Sequence, residues 1–193
     1  MLRRRFVSNA LLVVLIGVFA VLGAQNASAD GDRRVLLRFA GIFIQNLEQT
    51  DVDVTGTPMG TSTLGLIQGQ VKGNLGRADL TAVTKASSVV MPVADERGPD
   101  GFLKVADITD NNLVFTFADL SLLYGDGQGV ACVNFATGEQ YAAVDGIWLG
   151  GTARFRDASG EFSIRIDEFA PVSPATQVVA ETGTITGTLS RGH

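Results

Sequence analysis

The sequence predicts an all-β fold: an antiparallel β-barrel of about eight strands, forming a single domain behind a removable leader. Three observations predict it. Short runs rich in β-branched and aromatic residues recur along the chain, separated by turn signals, with almost nothing of helical period between them. Glycine is abundant, 23 of 193 residues, and glycine inside strands marks the bends and crowded interiors of a closed sheet. The chain is also long enough to bury one full core, and no internal repeat points to a solenoid or propeller.

The first 29 residues read as a secretory signal peptide. Arg3, Arg4 and Arg5 form the charged start, Ala10–Leu22 the apolar run, and Ala27-Ser28-Ala29 the small-residue cleavage site. The apolar run is shorter than the roughly 20 residues of a membrane-spanning helix. Cleavage is therefore expected between Ala29 and Asp30. No cysteine stands near the cut to carry a lipid, and only Arg4-Arg5-Phe6 hints at a twin-arginine signal, so general secretion is the expected route. Residues 30–193 should then be a periplasmic or secreted domain without membrane insertion.

The strands follow in order. Arg34–Ile44 is dense in β-branched and aromatic residues, Leu64–Gly73 follows a Thr- and Gly-rich turn, and Ala78–Thr84 alternates imperfectly. Ala94–Gly101, with Pro99-Asp100-Gly101, reads as a loop. Leu113–Phe117 is the next strand. Leu120 and Leu122 are out of phase with Phe115 and Phe117, which suggests a bulge near Ala118-Asp119. Val130–Phe135 and Tyr141–Leu149 flank the turn Ala136-Thr137-Gly138. Phe162, Ile164 and Ile166 alternate strictly with Ser163, Arg165 and Asp167, so one face of that strand should be buried and the other wet. Val178–Leu189 closes the chain.

Composition excludes several functions. Loss of the three leader arginines takes the net charge from −5 to −8, which leaves no footprint for nucleic acid or anionic lipid. One cysteine, Cys132, excludes an internal disulfide or a Cys-rich zinc site, and its apolar neighbours suggest a small buried hydrophobe. The only histidine, His193, is the last residue, so histidine-based catalysis and His-ligated metals are not expected. Asp95-Glu96, Asp107-x-x-Asp110 and Asp167-Glu168 read as solvated strand ends, and no calcium motif is complete. No cofactor is expected.

Gly150-Gly151-Thr152-Ala153-Arg154-Phe155-Arg156-Asp157-Ala158-Ser159-Gly160-Glu161-Phe162 resembles the late hairpin of allene oxide cyclase-like and dirigent-like barrels, and Glu181–Gly187 resembles their closing strand. With the leader, the likeness is to a secreted bacterial member of that group. It departs at Ala153, where those families usually carry glycine, and at Arg156-Asp157. Phe155 and Phe162 flank the hairpin as core anchors, and Asp157–Gly160 should turn tightly. The resemblance implies a barrel and a homo-oligomer, a trimer, and it implies a fold far more than a function.

A barrel of about eight strands holds one small ligand in its interior or mouth. Tyr124, Tyr141 and Trp148 are the only aromatics with a polar handle, and Asn134 and Glu139 lie near the same turn. These five are the candidate ligand-binding residues. Two functions follow as expectations. One is a secreted, non-enzymatic barrel that binds a small apolar molecule or serves a surface or matrix role. The other is a cyclase- or dirigent-like enzyme steering a reactive intermediate. An enclosed pocket with an isolated acid would keep the second alive; a solidly packed interior would remove both ligand readings.

Overall fold

A computed structural model describes residues 32–52, 58–173 and 178–191; the leader with its cleavage site, and His193, lie outside them. Nine strands form: β1 (Arg33–Val52), β2 (Pro58–Gly73), β3 (Gly76–Val93), β4 (Leu103–Phe117), β5 (Leu122–Val133), β6 (Gln140–Gly151), the two-residue β7 (Ala158–Ser159), β8 (Glu161–Ser173) and β9 (Val178–Arg191). The sheet runs β1-β2-β3-β4-β5-β6-β8-β9, every pairing is antiparallel, and β9 pairs back onto β1. Eight strands thus close a barrel, which leaves no long unpaired edge.

Alternation sets the inside of the ring. Val35, Leu37 and Phe39 point inward on β1, Leu113, Phe115 and Phe117 on β4, and Phe162, Ile164 and Ile166 on β8. Ser163 and Arg165 are half-buried and Asp167 is exposed, as the strict pattern of that segment predicts. Where a ring fills the interior, a neighbouring position is glycine. A Cβ on Gly65 would lie 2.0 Å from the Phe43 ring, and one on Gly146 would lie 2.5 Å from that of Phe162. Glycine here makes room for aromatic side chains in a narrow barrel.

One end of the barrel is sealed. The segment between β6 and β8 folds across it, with a short 3-10 turn at Ala153–Phe155 that sinks Phe155 completely. The Phe155 and Phe117 ring centroids are 4.8 Å apart, and Trp148 packs on Phe162 at 4.6 Å and on Phe115 at 5.7 Å. Trp148 Nε1 donates to the Thr188 carbonyl at 3.0 Å, so its one polar atom is satisfied. The Arg154 guanidinium sits 4.5 Å from the Phe117 ring centre and donates to Ser121 Oγ and the Leu75 carbonyl. It caps the seal through cation–π contact and hydrogen bonds.

Two local expectations change. The phase reversal after Phe117 is a hairpin turn, not a bulge: Leu120 N donates to the Phe117 carbonyl, and Phe117 N to that of Ser121. Leu120 takes φ 62° and stands in solvent, while the flanking stretches Asn111–Phe117 of β4 and Leu122–Gly129 of β5 each keep their own alternation. Asp157–Gly160 is likewise no simple tight turn, because Ala158 and Ser159 pair with Arg191 and Ser190 as β7. Phe155 and Phe162 are core anchors as expected, 0% and 2% exposed.

Candidate functional site

Rings crowd the sealed end, whereas in the other half Ala86, Ala106, Ala131 and Ala142 share the lining with Phe39, Phe43 and Phe169. Small side chains on a ring of fixed diameter leave a cavity of about 470 Å³, open at the far end, within the range of small-molecule sites. Its walls are largely apolar and include Phe39, Ile67, Leu80, Ile164 and Ile185.

Of the polar side chains that line this space, which also include Thr63, Ser88 and Gln140, three are buried among the described residues: Thr84, Asn111 and Glu181. Thr84 on β3 and Asn111 on β4 are register partners, and Thr84 Oγ1 donates to Asn111 Oδ1 at 2.7 Å. Glu181 on β9 stands half the strand ring away from β4. It is 4% exposed, and its Oε2 has no hydrogen-bond partner among the described residues. Burial raises the Glu181 carboxyl from 4.5 to about 7, because a desolvated carboxylate is disfavoured against its neutral form. Among the described residues, no Lys, Arg or His lines the cavity. Near neutral pH the site therefore offers one group that donates a hydrogen bond when protonated and accepts one, or pairs with a cation, when ionised.

The five residues singled out by sequence fall in different places. Only Tyr141 lines the cavity, and its ring also meets Phe102 edge-on at 6.2 Å. Trp148 belongs to the sealed end. Tyr124 is half-buried on β5, with its neighbour Leu123 pointing inward. Asn134 and Glu139 build the β5–β6 turn: Asn134 Oδ1 accepts from Ala136 N, and Glu139 Oε2 from Thr137 Oγ1. Glu181, Thr84 and Asn111 were missed, although parity points to them. Glu181 shares its phase with Ile185 and Leu189, and Asn111 with Leu113 and Phe115.

Beside the mouth, the Ala94–Phe102 loop packs over Val130, Cys132 and Ala143, a small cluster separate from the main core, and Cys132 and Tyr141 of this cluster also border the cavity. Arg97 donates to Asp95 through Nε at 2.9 Å and Nη2 at 3.0 Å, holding that carboxyl at about 2. Cys132 is 2% exposed, and burial pushes its thiol up. It is the small buried hydrophobe that its neighbours imply. Asp107 pairs with Lys104, and Asp110 accepts from Asn112. The described residues contain no group of three potential metal ligands.

No protein-family model matches this chain, and no curated protein is similar to it. Among solved structures, a pterocarpan synthase dirigent protein is similar at 14% sequence identity with a TM-score of 0.41, over 86% of this chain and 90% of that chain.

Proposed function

We propose that this is an exported binding barrel that takes one small, largely apolar molecule into its open half. The observation that supports it is the cavity with its single unsatisfied carboxyl. Apolar walls supply the burial that drives an apolar body out of water. One buried polar group fixes orientation, because a ligand that leaves it unpaired forgoes a hydrogen bond. The sealed end suits such a role, since packed aromatic rings hold the ring of strands rigid without contributing to the cavity. Native mass spectrometry of protein recovered from the exported fraction tests the reading. One co-purified small molecule per chain is expected. Bare protein that also refuses apolar probes would contradict it.

A second reading, a cyclase- or dirigent-like protein that steers a reactive intermediate, is favoured by the same carboxyl. An enclosed acid that titrates near 7 is suited to giving or taking a proton at physiological pH, and close walls would hold a substrate in one reactive fold. Turnover of a bound, oxygenated apolar substrate that Glu181→Gln abolishes, while binding survives, would select this reading over simple carriage.

A further inference from the structure

Among the described residues the cavity carries one acid and no base, which points to the ligand's chemistry. Among the described side chains, the strands flanking Glu181 present apolar groups and glycine to the interior: Phe39, Gly41 and Phe43 from β1, and Ile164, Ile166 and Phe169 from β8. Facing it from β3 and β4 are the neutral Thr84 and Asn111. The other titratable groups of the lining are Cys132 and Tyr141, both pushed up by burial and so uncharged at neutral pH. Nothing within the described cavity can neutralise an ionised Glu181.

The surroundings have the same sign. Residues 94–110, beside the mouth, hold five acids against two bases, Glu139 adds another acid in the β5–β6 turn, and on β3 Lys85 stands opposite Asp110 as a third base, so acids remain in excess. Negative charge around a low-dielectric opening concentrates cations and repels anions. A fatty acid or other carboxylate would meet like charge at the rim and again at the wall.

We propose that the ligand of this cavity is a cationic amine with an apolar body, seated with its ammonium group against the Glu181 carboxylate. The inference rests on the binding-barrel reading and adds the ligand's charge class to it. A neutral alcohol can hydrogen-bond to Glu181 but leaves an ionised carboxylate uncompensated. An ammonium group supplies both donors and counter-charge, and charge-assisted bonds are roughly twice as strong as neutral ones. Glu181 is protonated below about 7 in the free protein, so amine binding there must release a proton. Affinity for the amine should fall towards a tenfold loss per pH unit below that point.

The test is isothermal titration calorimetry of the exported domain with three probes of one shape: 1-naphthylmethylamine, 1-naphthylmethanol and 1-naphthoic acid. At pH 8 the amine should bind about tenfold or more tighter than the alcohol, and the acid weakest. Glu181→Gln, nearly equal in volume, should bring the amine down to the alcohol's affinity while leaving the alcohol almost unchanged. Below pH 7 only the amine's binding to the wild type should weaken. Equal or tighter binding of the alcohol at pH 8, or an amine preference that survives in Glu181→Gln, overturns the charge assignment while leaving a binding barrel. Failure of all three probes overturns the binding reading itself, and this inference with it.

Discussion

Glu181 is a cost to the empty fold as much as a feature of its site. Its carboxyl titrates at about 7 when folded against 4.5 as an ordinary value. Between those pH values the folded state holds the proton more tightly than the unfolded one, so stability must decline as pH rises through that window. The loss is at most about 3 kcal/mol, present in full above pH 7 and absent below about 4.5. Glu181→Gln should flatten this dependence and raise stability at pH 8, which urea melts at pH 5 and pH 8 will show. A variant as pH-sensitive as the wild type would mean that Glu181 reaches water. Two residues of β8 make the complementary comparison. Ile164 is 4% exposed, whereas Arg165 lies at the surface with its guanidinium 3.1 Å from Asp145. Ile164→Ala should cost about 2–5 kcal/mol and Arg165→Ala less than about 1 kcal/mol. Similar costs would contradict the assignment of faces. The β8 pattern was legible because six consecutive residues alternate without a break. Glu181 obeys the same parity, but an acid in a glycine- and threonine-rich strand reads as a solvated one until the closure of β9 onto β1 is known.

The hairpin between β6 and β8 shows what sequence carries for an element. Gly150 and Gly160 take φ +90° and +126°, and a Cβ on Gly160 would stand 2.4 Å from the Thr188 carbonyl oxygen. Both positions require glycine. Ala153 takes φ 48°, in the left-handed region, at the position where the resembling hairpins carry glycine. The penalty for a side chain there is about 1–2 kcal/mol, partly offset by the entropy that glycine loses on folding. Ala153→Gly should therefore stabilise the protein by about 0.5–1 kcal/mol in the same melts; a net loss would mean that the methyl group packs usefully. Other elements hid themselves for physical reasons. The first half of β4 was not read as strand because its pairing with β5 shifts register at Lys104/Ala106 and again at Ile108/Asn111. Each shift reverses the inward phase, and no run of alternation survives long enough to see. Phe117–Leu122 misled in the opposite way, since a hairpin turn and a bulge both reverse phase, and only the hydrogen bonds to Phe117 separate them.

At the scale of the whole molecule, barrel closure and a single core followed from strand spacing and glycine content, whereas the cavity did not. Whether an interior is packed or hollow depends on which inward side chains share a level. That is set by the stagger of eight strands rather than by any one of them. Phe115, Phe155 and Trp148 gather at one end while Ala86, Ala106 and Ala142 gather at the other. Composition alone cannot distinguish that from an even mixture. The same ignorance of level placed Trp148 among the ligand candidates, although it belongs to the seal. A hollow open half must take up an apolar guest, and a fluorescence titration with the neutral apolar probe N-phenyl-1-naphthylamine tests this most directly. The wild type should show saturable enhancement at one probe per chain. Ala142→Phe, which puts a ring into the cavity wall, should lose most of that enhancement while its melting curve still shows a cooperative fold. No enhancement in the wild type, or an equal response from folded Ala142→Phe, would contradict a binding cavity in the open half of this barrel.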